Sequence, residues 1–371
     1  MRSVGVEEEL MLVDARSGAP LAVSGAVLAA ADRHAWRRPD GDGEKSHEFE
    51  GELQKEQLEF ATKPVTEMGE LQDEITRIRA EAARHAAQSG AMVAALATSP
   101  LPVRPSLSAG KRYQWLGEQF GITAQEQLTC GTHVHVSVDS DEEGVAVLDR
   151  IRPWLAVLLA MSANSPFWHG EDSGYGSYRS RVWNRWPSAG PTEAFGSADQ
   201  YHEQVRAMIG TGVLRDEGMI YFDARLSATY PTVEVRVADV CLDAETPVLL
   251  AALIRALVET AARAWQDGEP PARVGTSLLR LASWRAGRSG LDGPLLHPET
   301  MRETSPAHAV DVLHRHVREA LADHGDDERV RRAIAHLHER GNGARIQRRL
   351  LGSEGSLARM VTRCARLTTE D

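Results

Sequence analysis

The sequence is poor in cysteine. Only three of its 371 residues are cysteines, at positions 130, 241 and 364. An odd number of widely separated cysteines argues against a disulfide framework, and none has the spacing of a zinc knuckle or a redox motif. We therefore expect reduced thiols and a cytoplasmic protein. Cys130 borders a candidate site, but a small buried thiol is more often a packing residue than a nucleophile.

Long hydrophobic runs are also absent. The most apolar stretches, residues 154–161 and 248–258, are too short or too charged to span a bilayer. The first residues lack the basic and apolar regions of a secretory signal. We therefore expect no membrane partner.

Positive charge is in deficit: 42 Lys and Arg face 53 Asp and Glu, a formal net charge of -11. This balance argues against a nucleic-acid partner and suits a site loaded with cations. No Gly/Ser-rich, Pro-rich or charged linker divides the chain. We predict one catalytic domain over residues 1–371, strand-rich over 1–242 and mostly helical over 243–371.

Three consecutive glutamates lie inside the apolar run VGVEEELMLV, residues 4–13. The run predicts a strand in which Glu7 and Glu9 share one face with Met11, while Glu8 shares the other face with Val6. Two like charges about 4 Å apart repel by roughly 4 kcal/mol at an effective dielectric of about 20. An enclosed pair therefore needs a cation or protonation, and we interpret the cation as a metal. The alternative is an edge strand with solvated glutamates.

Two later segments repeat a valine face opposite a polar face. In residues 130–138, CGTHVHVSV, His133 and His135 alternate with valines; in residues 232–237, TVEVRV, Glu234 and Arg236 do so. This pattern predicts an α+β fold, in which an antiparallel sheet carries helices on one face and a polar cavity on the other.

The remaining segments are predicted from periodicity and turn residues. Residues 37–46 and the aromatic-rich stretch 165–187 are predicted loops, the latter functional. Residues 66–89 predict a helix with a solvated charged face, and residues 149–161 predict another helix. Simple alternation along residues 52–59 places Glu52 and Glu59 on opposite faces. A bulge or an irregular turn must therefore lie between them if both belong to one site.

Oxygen dominates the candidate ligand set. Five glutamates and one or both histidines are available: Glu7, Glu9, Glu52, Glu59, Glu234, His133 and His135. Magnesium or manganese prefers such ligands, whereas zinc prefers nitrogen and sulfur. Two structural strand histidines are the open alternative for the His-x-His pair.

Phosphate would have to be bound without a glycine loop. The sequence has no Gly-Lys-Ser/Thr loop and completes no dinucleotide fingerprint. Metals and arginines would then hold any nucleotide, because guanidinium groups bind phosphate or carboxylate bidentately. The candidates are Arg179, Arg181, Arg236, Arg285 and Arg288, with Arg179 and Arg236 favoured by their context.

Several motifs together resemble the carboxylate-amine ligase family, also called type 2 glutamate-cysteine ligases. They are GVEEEL, LEFAT, CGTHVHVSV, SPFWHGEDSGYGSYR, TVEVRVADV, WRAGRSGLDG and GNGARIQRR, which follow one another over nearly the whole chain. The resemblance implies the fold of glutamate-cysteine ligase and glutamine synthetase, with a funnel for ATP and several magnesium ions. It also implies that ATP phosphorylates a carboxylate and that an amine then attacks the acyl phosphate.

The resemblance further implies roles for individual residues. The metal ligands would be Glu7, Glu9, Glu52, Glu59, His133 and Glu234, with His135 less secure. Arg236 would lie near the transferred phosphoryl group, and Arg179 would bind phosphate or a substrate carboxylate. Arg181 and Arg285 are predicted to bind nucleotide from the chemistry of the guanidinium group alone. Glutamate is the expected acid, the amine is open with cysteine as the namesake, and a homodimer is a family-level expectation.

Two other functions remain open. A zinc-dependent hydrolase would use His133 and His135 and would need no ATP. A catalytically silent relative would bind nucleotide at most, although the complete set of candidate residues argues against it.

Overall fold

The computed structural model describes residues 1–35 and 49–370, so the loop predicted over 37–46 lies outside the described residues. The strands are β1 (Val4–Asp14), β2 (Phe49–Gly51), β3 (Gln57–Ala61), β4 (Ala91–Ala94), β5 (Gly131–Ser137), β6 (Phe167–Trp168), β7 (Glu171–Asp172), β8 (Ala224–Leu226), β9 (Thr232–Asp239), β10 (Leu295–Leu296) and β11 (Glu303–Thr304). The α-helices are α1 (Ser24–Ala35), α2 (Met68–Ala87), α3 (Lys111–Phe120), α4 (Ile122–Gln125), α5 (Asp141–Ile151), α6 (Leu155–Ser162), α7 (Arg179–Trp183), α8 (Ala198–Gly210), α9 (Glu245–Gln266), α10 (Thr276–Ser289), α11 (Pro306–Asp323), α12 (Asp327–Arg340), α13 (Gly343–Glu354) and α14 (Leu357–Leu367).

One antiparallel sheet organises the described chain. Its strand order is β2-β3-β1-β5-β9-β8, and β4 pairs with the second half of β1. Strand β1 therefore lies between β3 and β5, and the acidic run occupies an interior strand rather than an edge. This placement rules out the alternative of an edge strand with solvated glutamates. The predicted α+β fold with an antiparallel sheet is confirmed.

Helices cover the valine face of the sheet. Val6, Val134 and Val233 are fully buried in a core that also contains the apolar side of α9. Complete burial of a side chain of this size stabilises the folded state by about 1.5–3 kcal/mol. Covering one face of the sheet leaves the opposite face, with its polar side chains, free to form a site.

Glu8 is the acidic residue on the covered face. Both of its carboxylate oxygens lie 2.8 Å from the guanidinium of Arg79 on α2, which also donates to the Cys241 carbonyl at 2.8 Å. The prediction that the charges of this helix form a solvated face is therefore wrong for Arg79, which is completely buried. A buried carboxylate needs such a partner, and the partner lies more than seventy residues away in sequence.

The predicted helix over residues 149–161 is divided in the structure. Helix α5 ends at Ile151, a 3-10 turn spans Arg152–Trp154, and α6 begins at Leu155. Pro153 has no N–H to continue the helical hydrogen-bond ladder, which accounts for the tighter turn. The predicted loop 165–187 contains the short hairpin β6–β7 and helix α7. Helix α8 had no predicted counterpart, although its cap Ser197 accepts from the Gln200 N–H.

None of the helices in residues 1–35 and 49–370 combines the length and the hydropathy that a bilayer-spanning segment needs.

Candidate active site

Strand register brings the predicted site residues together. Glu7 pairs with His133 across β1 and β5, and Glu9 pairs with Glu59 across β1 and β3. His135 pairs with Glu234 across β5 and β9 after a register shift. Because directly paired residues point to the same face of a sheet, these side chains meet on the open face. Alternation along each strand places polar side chains on one face, and the pairing of the strands aligns those faces.

A charged hollow of about 220 Å³ opens on this face. Seventeen residues line it: Glu7, Glu9, Glu52, Leu53, Gln57, Glu59, Arg112, Tyr113, Leu116, Thr129, His133, Trp183, Trp186, Gly218, Tyr221, Arg225 and Arg236. Six of the residues predicted for the site are in this set, namely Glu7, Glu9, Glu52, Glu59, His133 and Arg236, whereas Glu234 and His135 are not.

Three glutamates form a carboxylate trio, Glu9, Glu52 and Glu59. Each offers an oxygen, and these atoms lie within 4.8 Å of one another. Glu52 reaches the trio because the chain turns irregularly between β2 and β3, which meets the condition set by the alternation of Glu52 and Glu59. Glu9 is further fixed by the Gly131 N–H, which donates to its Oε2 at 2.6 Å.

The carboxylate trio has an unfavourable charge balance. Burial, with the charge of Glu52, raises the pKa of Glu9 to about 8. Burial and the charges of Glu52 and Glu7 also raise the pKa of Glu59 well above its usual value. A divalent cation among the three oxygens would favour the ionised carboxylates and so lower these pKa values. A set made only of carboxylates suits magnesium or manganese.

A second group, the histidine cluster, consists of Glu7, His133 and Glu234. Their ligand atoms also lie within 4.8 Å of one another. His133 Nδ1 is 3.3 Å from Glu7 Oε2, and its buried Nε2 has no hydrogen-bond partner. Burial, aided by Arg236, lowers the pKa of His133 to about 4, so the ring is neutral near pH 7. His133 Nδ1 faces both carboxylates, 3.3 Å from Glu7 and 3.9 Å from Glu234, and a neutral imidazole nitrogen in that position can bind a metal, so the histidine cluster fits a second cation.

Two arginines contact Glu234 in the histidine cluster. Arg225 Nε donates to Glu234 Oε2 at 2.7 Å, and Arg236 donates to the other oxygen. Burial acts to raise the pKa of Glu234, but Arg236 and Arg225 outweigh it and lower the pKa to about 2. Arg225 was missed at the sequence level, because its three-residue strand β8 is too short to show alternation. Its ladder pairing with Glu234 is the signal that identifies it.

His135 lies on the open face beside the histidine cluster but outside it. Its Nδ1 is 3.0 Å from the hydroxyl of Thr232, and its Nε2 is 3.3 Å from Glu7 Oε1. Burial acts to lower the pKa of His135, but the hydrogen bond with Glu7 outweighs it and raises the pKa. His133 is therefore the better placed of the two histidines for a cation.

Arg179, Arg181 and Arg285 are not among the lining residues of the charged hollow. Arg179 is buried beneath Gly131, where an added Cβ would lie 2.2 Å from its Nη2, so only glycine fits. Its Nη1 is 3.9 Å from Asp239. Arg285 lies 3.7 Å from Glu303, and Arg288 donates to the Gly174 carbonyl. The nucleotide role of Arg181 and Arg285 stays a prediction, and neither residue lines the charged hollow.

An aromatic wall, Tyr113, Trp183, Trp186 and Tyr221, lines the same hollow. The rings of Trp183 and Tyr221 are 5.0 Å apart, and Arg236 lies 5.7 Å from the ring of Trp183. Trp183 and Trp186 belong to the stretch predicted to be functional, but Tyr113 and Tyr221 carried no signal in the sequence. The wall encloses the charged groups and lowers their access to water.

Two solved structures share this fold. A bifunctional glutathione synthetase from Pasteurella multocida aligns with a TM-score of 0.71 at 16% identity, covering 99% of this chain and 52% of that one. This chain thus spans about half the length of that protein. A glutamate–cysteine ligase from Francisella tularensis in complex with AMP aligns with a TM-score of 0.70 at 12% identity, covering 99% of this chain and 88% of that one. At these identities the likeness concerns the fold alone.

The matches to known sequences, together with the fold and the two groups of candidate metal ligands, define an ATP-dependent carboxylate-amine ligase, an enzyme that forms a C–N bond. The family model for glutamate-cysteine ligase family 2 (GCS2) matches residues 3–363. A Streptomyces avermitilis protein named "Putative glutamate--cysteine ligase 2-1" is 61% identical over 368 residues, 99% of each chain. The chain belongs to glutamate-cysteine ligase family 2, which confirms the resemblance found in its motifs.

Proposed function

We propose that this enzyme joins the carboxylate of glutamate to an amine through an acyl phosphate, with one catalytic domain over residues 1–371. The supporting observation is that the carboxylate trio and two members of the histidine cluster, Glu7 and His133, line one hollow, with Glu234 grouped beside Glu7 and His133. Cysteine is the namesake amine, and the identity of the amine stays open.

Magnesium is the proposed metal, with manganese as the substitute. Glu9, Glu52 and Glu59 would hold one ion, and Glu7, His133 and Glu234 would hold another, because these sets offer oxygen and one imidazole nitrogen. When bound, the ions would neutralise the oxygens of the triphosphate and the phosphorylated acid. His135 would act as a neighbour of the histidine cluster rather than as a ligand.

Arg236 is the proposed partner of the transferred phosphoryl group. It lines the charged hollow, it is nine-tenths buried, and its Nε has no hydrogen-bond partner. Phosphoryl transfer between two anions is mainly a problem of charge, so a fixed guanidinium in a water-poor site stabilises the transition state. Arg179, which is buried behind Gly131 near Glu9, would favour ionised Glu9 by its charge.

The charged hollow also suits the two organic substrates. The ammonium group of an amine is attracted to carboxylates and to the faces of aromatic rings, both of which the hollow provides. The aromatic wall would exclude water, which otherwise hydrolyses an acyl phosphate. We further propose a cytoplasmic enzyme and a homodimer.

The zinc hydrolase alternative is not favoured. Five of the six residues in the two clusters are glutamates, and the chain belongs to a ligase family. A hydrolase would act without ATP, so the two functions give opposite results in one assay.

The test is an ADP-release assay over amino acids and amines, with the product masses determined. We expect ADP release that requires an acid, an amine and magnesium together. Glu234→Ala should abolish it in a folded protein, since this change removes a ligand from the histidine cluster. Glu319→Ala, at a carboxylate 90% exposed, is the control. Near-wild-type turnover of Glu234→Ala at saturating magnesium would refute the assignment.

A further inference from the structure

Arg225 contacts a candidate metal ligand with two of its three side-chain nitrogens. It lies on β8, the last strand in the sheet order, directly opposite Glu234 on β9. Its Nε donates to Glu234 Oε2 at 2.7 Å and its Nη2 donates to Glu234 Oε1 at 3.3 Å, so the guanidinium contacts both carboxylate oxygens. Glu234 is buried and belongs to the histidine cluster. The orientation of this carboxylate therefore depends on Arg225.

The third nitrogen of Arg225 contacts a different segment of the chain. Its Nη1 donates to the Ile220 carbonyl at 2.9 Å and lies within 3.5 Å of two further carbonyl oxygens in residues 217–220. We call residues 217–220 the wall turn, because Gly218 lines the charged hollow and the next residue, Tyr221, belongs to the aromatic wall. One side chain thus joins a candidate metal ligand to the wall of the hollow.

Arg225 and Arg236 contact the same carboxylate but differ in what else they can bind. Each side-chain nitrogen of Arg225 has an acceptor in the protein. Arg236 also donates to Glu234, but its buried Nε has no hydrogen-bond partner among the described residues. A guanidinium with an unbonded nitrogen can bind a phosphoryl group, whereas one bonded to the protein through all three nitrogens is poorly placed to do so. Arg225 therefore acts on the site through Glu234 and the wall turn.

We propose that Arg225 is a positioning residue that couples cation binding at the histidine cluster to the wall turn. A ligand held by a second residue presents its oxygens to a metal in one orientation, and such supporting contacts are worth about 10- to 100-fold in metal affinity. Because coupling between two sites is reciprocal, a cation that fixes Glu234 also stabilises the wall turn through the same guanidinium. This inference rests on the proposed metal binding of the histidine cluster.

The charge of Arg225 alone would have the opposite effect on metal affinity. A guanidinium beside a cation site repels the cation, so removing its positive charge would tighten binding. Arg225→Lys separates the two effects, because lysine keeps the charge but cannot form the paired hydrogen bonds with a carboxylate. Arg225→Met removes both the charge and the hydrogen bonds.

Arg340 provides a matched control. Its Nη1 and Nη2 donate to the two carboxylate oxygens of Asp243 at 2.6 and 2.9 Å. Its side chain is 17% exposed, compared with 14% for Arg225. Neither Arg340 nor Asp243 lines the charged hollow. Arg340→Lys therefore breaks a comparable ion pair away from the site and reports the structural cost of such a loss.

The first measurement is calorimetric binding of manganese without nucleotide, in which the binding step lost in His133→Gln identifies the histidine cluster. We expect Arg225→Lys to weaken this step about 10-fold or more, Arg225→Met to weaken it about 10- to 100-fold, and Arg340→Lys to stay within about 3-fold of the native protein. Unchanged binding in Arg225→Lys would overturn the positioning role. Tighter binding in Arg225→Met would overturn it too, because simple repulsion would then account for the effect.

The second measurement is hydrogen exchange of the wall turn, followed by mass spectrometry with and without manganese. The Met219 and Ile220 N–H groups donate to backbone carbonyls at 3.1 and 3.0 Å, so their exchange reports on opening of the turn. We expect manganese to slow this exchange in the native protein and in Arg340→Lys, but not in Arg225→Lys. Equal slowing in Arg225→Lys would overturn the coupling.

Failure of the proposed function would give a different result. If manganese binds and slows exchange as expected, but no acid and amine pair supports ADP release, the ligase proposal fails and the role of Arg225 stands. If manganese does not bind the native protein, the metal site is wrong and the coupling is overturned with it.

Discussion

Replacing Glu9 with Gln removes one negative charge from the carboxylate trio and keeps the size of the side chain. The amide oxygen can still accept from the Gly131 N–H, which donates to Glu9 at 2.6 Å in the native protein. The change therefore isolates the ionisation of one carboxyl group. We expect it to flatten the pH dependence of stability in the metal-free protein.

The magnitude follows from the pKa of Glu9, which burial raises from 4.5 to about 8. As the pH rises between these values, the unfolded chain ionises while the folded protein keeps its proton, so the free energy of unfolding falls. The slope is about 1.4 kcal/mol per pH unit, or about 2 kcal/mol between pH 6.5 and pH 8.

The other groups of the site are present in both proteins, so their contributions are common to the two. Glu59, whose pKa burial also raises, adds a loss of stability over the same pH interval in each protein. The lowered pKa values of Glu7 and Glu234 give stability that is already complete above pH 4.5. The contribution of His133, whose pKa falls to about 4, still rises slightly above pH 6.5, and both proteins share that rise. The raised pKa of His135 adds a loss above pH 6.5, but both proteins share it.

The assay is urea unfolding with a chelator at pH 6.5 and pH 8, followed by circular dichroism. The free energy of unfolding of the native protein should fall by about 2 kcal/mol more than that of Glu9→Gln between pH 6.5 and pH 8. Saturating magnesium should restore the free energy of unfolding of the native protein at pH 8, and it should raise that of the variant by less. Equal pH dependence in the two proteins would refute our account of the carboxylate trio.

Two further predictions concern other groups of the protein. His133→Gln should weaken manganese binding, measured by calorimetry without nucleotide, at least about 100-fold, whereas His135→Gln should weaken it less than about 10-fold because its nitrogen lies outside the histidine cluster. Equal losses would contradict this distinction. Arg79→Met should destabilise the protein to urea by about 3–5 kcal/mol, since it leaves Glu8 buried without its partner. Glu8→Gln in that background should recover part of the lost stability. No recovery would show that the unpaired Glu8 carboxylate is not the cause of the destabilisation.

The sequence carried the outline of the fold because its strands alternate. Valines at every second position of 133–137 and 232–237 distinguish a covered apolar face from a polar face that carries the candidate site residues, without any knowledge of strand pairing. The same reasoning missed the role of Glu8, since one strand viewed alone does not reveal an arginine on a helix some seventy residues later. It also missed Arg225, whose strand has three residues.

The candidate ligands followed from residue type, but their grouping did not. Alternation along β1 placed Glu7 and Glu9 on one face without indicating that they belong to different clusters. The pairing of β1 with β3 on one side and β5 on the other makes that division. The aromatic wall likewise combines Tyr113 from α3 with Tyr221 from the chain just before β8.

The sequence by itself determined which residue types face each side of every strand, because side-chain alternation is a local property of an extended chain. It also determined the family, through motifs spread over residues 3–363. Only the tertiary structure decided which carboxylates group together as candidate metal ligands, and which predicted arginines lie away from the charged hollow. The reason is physical: strand register and the path of the chain between strands depend on packing across the whole sheet.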